Sequence, residues 1–150
     1  MVVIISYNCI NKKGTFVTMN IEKHLDRLKE SIEVIDESIT KDIVKRQRTI
    51  GFSISAASAD MFEIFLHKSK LVDPGFIVKH EWLKSKNKTK EKFPFDFEDK
   101  GKILGLMNSI EASRDPLCYG TPKPEAFIKE AVNKFNELKG IFEDKGVKIE

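Results

Sequence analysis

The sequence is poor in the residues that usually announce a chemistry. Its 150 residues include two cysteines, Cys9 and Cys118, too few for a disulfide framework. The three histidines, His24, His67 and His80, form no pair at metal-ligand spacing on one helix. No metal site is therefore expected, and no cofactor is implied. There is no glycine-rich phosphate loop, nucleophile elbow or kinase motif. Apolar runs are short: VVII, near the start, falls far below the roughly 20 residues that span a bilayer. No basic segment precedes it, so neither a membrane span nor a signal peptide is expected, and the expected location is cytoplasmic. Glycine (8) and proline (5) are scarce, and few breakers favour long helices. Arginine is scarcer still, with only Arg27, Arg46, Arg48 and Arg114 against 22 lysines. Where lysine is the habit, each arginine marks a position to examine.

What is present is a globular alphabet. Hydrophobic residues make up 41% and charged residues 33%, with a net charge of +3. The length suits one domain with an adequate core. Residues 1–19 read as an N-terminal extension, in which VVIISY and TFVT can close a hairpin across NKKG. Residues 20–150 read as an all-α, antiparallel bundle of about five helices. Asn20 suits a cap for the first helix, whose stripe Ile21, Leu25, Leu28, Ile32, Ile35, Ile39 alternates steps of four and three. Thr40 suits the cap of a second helix over 41–70. Gly51 within it costs about 1 kcal/mol relative to alanine, and Ser53 and Ala56 to Ala59 give it a small-residue face. A short helix follows over 76–85, anchored by Trp82 and Leu83. KSKNKTKEK reads as a solvated loop, with FPFDF tucking back on the bundle. The fourth helix runs from Glu98 or Asp99 to about Arg114, where Asp115-Pro116 ends or bends it. The last starts at Pro124, carries Phe127, Ile128, Ala131, Val132, Phe135, Leu138 and Phe142, and stops at Gly146.

Few residues stand out as chemistry. Arg114 follows Ile110 by four and so continues an inward stripe, where arginine is rare unless paired or functional. It either salt-bridges Asp60 or Glu63 and reaches solvent, or grips phosphate from a cleft between helices. Asp60 and Glu63 sit among apolar residues, as boundary acids or as partners orienting Arg114. Two basic patches, Lys41/Lys45/Arg46/Arg48 and the lysines of 84–92, are ordinary solvated faces or contacts for a nucleic-acid backbone.

SISAASADMFEIFLHKSKL, then KHEWL, then IEASRDPLCYG and a long final helix together resemble the HEPN domains, over about residues 20–145. Arg114 matches that family's motif arginine and Asp115 the polar residue after it. Tyr119 stands where the family has histidine, and no histidine follows Arg114. Active members are metal-independent endoribonucleases in which Arg and His manage charge and proton. Tyrosine, with a reference pKa of about 10, is a poor base near neutrality. The resemblance therefore implies a helical homodimer that binds RNA or nucleotide with weak or no ribonuclease activity. Arg114 would grip phosphate, and Tyr119 would stack or hydrogen-bond. A small nucleotidyltransferase is an implied partner, with a tyrosine near the motif as its target. Two other readings stand beside it: a protein-interaction module of antitoxin-like or scaffold type, and a ribonuclease whose base, His67 or His80, comes from another helix.

Overall fold

The computed structural model describes residues 21–149 and the backbone of two short strands, β1 (Asn8–Ile10) and β2 (Phe16–Thr18). These strands pair antiparallel, Asn8 opposite Thr18 and Ile10 opposite Phe16. VVIISY, NKKG and Asn20 lie outside the described residues. Five helices follow: α1 (Ile21–Asp42), α2 (Gln47–Lys68), α3 (Lys86–Lys92), α4 (Lys100–Tyr119) and α5 (Glu125–Asp144). The chain is an antiparallel helical bundle.

α2 is the central helix, packed by α1, α4 and α5. Its apolar face reaches nearly all round, as an enclosed helix requires: Ile50, Ile54, Ala57, Met61, Phe62, Ile64 and Leu66 are all buried. Among the described residues it is the one helix long and apolar enough to cross a membrane, and 72% of its most apolar window is buried in the bundle. Such a helix was not expected from apolar run lengths, because serines, Glu63 and His67 interrupt the run. The α1 and α5 stripes pack inward as expected, except that Ile39 and Phe127 are exposed. Phe62 and Phe65 meet Phe93, Phe97 and Phe142 in one aromatic cluster, so FPFDF does fold back onto the core.

Four boundaries differ from the sequence reading. Thr40 caps nothing: α1 runs on to Asp42, supported by Lys41 pairing with Glu37 one turn earlier at 2.6 Å, and residues 43–46 form the turn. Residues 76–79 are not helical, because side chains of α2 satisfy their backbone. The Val78 N–H donates to Glu63 Oε1 at 2.6 Å, and the Phe76 carbonyl lies 3.0 Å from His67 Nε2. Only His80–Leu83 turns, as a single 3-10 turn. The lysine segment 86–92 is a helix, capped by Ser85 and anchored by buried Thr89, whose hydroxyl donates to the Trp82 and Ser85 carbonyls. Asn108 of α4 ties it down by donating to Leu83 O and Thr89 Oγ1.

The fourth difference matters most for the site. α4 continues through Pro116 to Tyr119. Proline there removes only the bond to the carbonyl of Ala112, an exposed residue. What holds the last turn in place is Gly51 of α2. A Cβ at Gly51 would come within 2.7 Å of Leu117 Cβ and 3.0 Å of Cys118 Sγ. The bare glycine admits that turn against α2, and Arg114 becomes a mid-helix residue rather than a helix end.

Candidate functional site

The α2–α4 seam carries a line of polar side chains toward the end where α2 begins and α4 ends. At its inner point lies Glu111, 3% exposed. Glu111 Oε2 accepts from Ser55 Oγ at 2.9 Å and lies 3.1 Å from His80 Nδ1, which is itself 3.1 Å from Ser55 Oγ. A carboxylate oxygen accepts, so Nδ1 is the donor toward Glu111, and Nε2 is the ring nitrogen left for another partner. The His80 side chain is 38% exposed, so this ring has a buried anchor and a face toward solvent. Glu111 Oε1 is buried without a hydrogen-bond partner among the described residues. Such an orphaned acceptor carries a desolvation cost of roughly 1–3 kcal/mol.

One turn further along α4 is Arg114. Its guanidinium lies 5.2 Å from the centre of the Phe52 ring, with Asp115 3.9 Å away as a loose ion pair. Arg48 approaches the same ring at 5.7 Å, and Tyr119 meets it edge to face at 5.7 Å. Asp115 is also held by Lys84 at 3.2 Å. Lys84 and Asp115, with His80 and Glu111, thus tie the 3-10 turn along α4 at two points. Behind this corner, buried Gln47 donates from Nε2 to the Leu117 and Thr121 carbonyls at 3.2 Å each and accepts the Lys123 N–H at 2.7 Å. The arrangement offers a proton acceptor at His80 and guanidinium charge at Arg114 and Arg48, all on one seam.

No protein-family model, curated protein or solved structure matches the chain.

The expected site residues divide into two groups. Arg114, Asp115, Tyr119 and Arg48 do come together. Asp60 and Glu63 do not orient Arg114; they belong to a second cluster, on α1 and α2. His24 Nδ1 lies 2.9 Å from Asp60 Oδ1 and its Nε2 2.8 Å from Glu63 Oε2. Hydrogen bonds to Asp60 and then Glu63 outweigh the opposing effect of burial and push the His24 pKa up to about 9. The ring is therefore an imidazolium that donates to Asp60 and pairs in charge with Glu63 Oε2. Burial pushes the His67 pKa down, and its ring serves the Phe76 carbonyl rather than the seam. Of the helix-turn patch, Lys45 is exposed, with its backbone N–H on Asp42 Oδ1, and Arg46 is half-buried at the start of α2. Cys118 is buried with its thiol pKa raised by desolvation, as befits a structural cysteine. Among the described residues no group of His, Cys, Asp and Glu could hold a metal ion.

Ser55, His80, Glu111 and Phe52 were not singled out as site residues from the sequence, apart from His80 as an alternative base. The signals were there: Glu111 directly follows buried Ile110, and Ser55 directly follows buried Ile54. A polar residue next to a core position at helical spacing belongs to the seam, where it needs a partner.

Proposed function

We propose that this end of the bundle binds RNA through its phosphates and cleaves it slowly without a metal, in the way a HEPN-like domain would. Arg114 grips a phosphate, and His80 takes the proton-handling part that Tyr119 cannot. The supporting observation is the His80 ring, anchored through Nδ1 on buried Glu111 one helical turn from Arg114. In the step envisaged, His80 Nε2 accepts the proton of a ribose 2′-OH. The 2′-oxygen then bonds to phosphorus as the 5′-oxygen leaves and takes a proton from water. Arg114 offsets the charge that builds on the phosphate oxygens. The products carry a 2′,3′-cyclic phosphate and a 5′-hydroxyl.

The test pairs binding with product analysis in EDTA. Arg114→Ala should weaken RNA binding and lower the salt slope by about 1. His80→Ala should leave binding close to that of the unaltered protein while abolishing 2′,3′-cyclic ends. Equal binding by the protein and its Arg114→Ala variant would overturn the phosphate site. Cyclic ends that persist in His80→Ala would remove His80 from the chemistry.

A further inference from the structure

Tyr119 is the most exposed large hydrophobic residue among the described residues, at 66%, yet its backbone is held on both sides. It closes α4, so its main chain is helical. Gly120 follows, where a Cβ would meet the Pro116 carbonyl oxygen at 2.4 Å; that sharp departure is open only to glycine. Gln47 then satisfies Leu117, Thr121 and Lys123 with its whole amide, and Pro122 and Pro124 stiffen the exit. The ring itself rests edge to face on Phe52. A buried glutamine and a compulsory glycine thus hold the backbone beneath an aromatic ring that two-thirds faces water. Beside it stand Arg114 and Arg48, two of the chain's four arginines, both drawn against Phe52.

We infer that Tyr119 is a stacking platform for an unpaired nucleobase, and that the strand this site takes is single-stranded RNA. The inference rests on the proposed function and adds its substrate class. A single strand alternates a π-face with a negative charge, which is what a bare ring flanked by guanidinium groups matches. A duplex could offer its phosphates to Arg114 and Arg48, but its bases are stacked on one another and cannot reach Tyr119. Stacking is indifferent to base identity, so the platform selects strandedness rather than sequence. The backbone below the ring is held and the ring rests on Phe52, which lowers the ordering cost of a contact there.

The experiment uses a short single-stranded RNA carrying 2-aminopurine, whose fluorescence falls when the base stacks, and a hairpin with the same base in its paired stem. Binding of the single strand should quench the probe; the hairpin should bind more weakly and show no quenching. Tyr119→Ala should raise Kd by about 5-fold to about 100-fold and abolish quenching, with the salt slope unchanged because no cation is removed. Tyr119→Trp should restore both affinity and quenching, which a variant damaged in folding would not do. If Tyr119→Ala binds and quenches as the unaltered protein does, or the hairpin binds as tightly as the single strand, the platform is overturned while the phosphate site at Arg114 stands. If Arg114→Ala leaves binding unchanged, the phosphate reading fails and takes the platform with it.

Discussion

Gly51 shows how the sign of a substitution depends on what faces it. From sequence, a glycine inside a 22-residue helix is a weakness, and alanine would be expected to stabilise by about 1 kcal/mol. In the fold a Cβ there would press on Leu117 and Cys118, and overpacking of that kind costs roughly 1–3 kcal/mol. Steric conflict outweighs helix propensity, so Gly51→Ala should lower the urea midpoint rather than raise it. An unchanged or higher midpoint would show that the end of α4 yields freely. The glycine itself was visible in the sequence; its role was not, because the conflict lies with residues 66 and 67 positions away. The same distance hid the seam: His80 and Glu111 are 31 residues apart. The apolar stripes repeat locally and could be read directly. A meeting of side chains from different elements could not.

Between elements, a histidine flanked by two acids ties α1 to α2. His24 has its pKa raised from 6.5 to about 9, so the folded state binds a proton more tightly than the unfolded chain does. The stabilisation is complete below about pH 6.5, fades as pH rises, and is gone above about 9. A shift of that size corresponds to about 3 kcal/mol at most. Denaturant titrations between pH 6 and pH 10 should therefore show stability falling with pH, and His24→Gln should flatten that slope. A slope that survives the substitution would place the titration elsewhere. Periodicity put α1 and α2 side by side but was silent on this pair, since His24, Asp60 and Glu63 look like ordinary boundary residues. The reading that matched Asp60 and Glu63 with Arg114 was reasonable by charge. The structure instead pairs both acids with His24 and places Arg114 on Phe52.

Across the whole molecule, Glu63 belongs to two ties at once. One oxygen meets His24 of α1 and the other accepts the Val78 N–H, two residues before His80. His80 in turn meets Glu111 of α4. A chain of polar contacts therefore runs α1, α2, the 76–83 segment, α4. Glu63→Gln weakens the first two links, and the amide of Val78 should lose hydrogen-exchange protection by about tenfold or more, as expected for a charge-assisted bond worth about 1.5–3 kcal/mol. If the Val78 amide exchanges as slowly in the variant, the segment is held by Leu83 and Asn108 instead.

Gly51 and Gly120 flank the Tyr119 corner from two sides, and neither tolerates a Cβ. In a saturation-mutagenesis library selected for the proposed RNA binding, positions 51 and 120 should be depleted along with position 114, the glycines for their shape alone. Selection for folded protein alone should separate them. The glycines should remain intolerant, whereas Arg114 and Tyr119, half-buried and exposed respectively, should accept many replacements. The corner thus carries two superimposed constraints, one on the shape of the backbone and one on what that backbone displays.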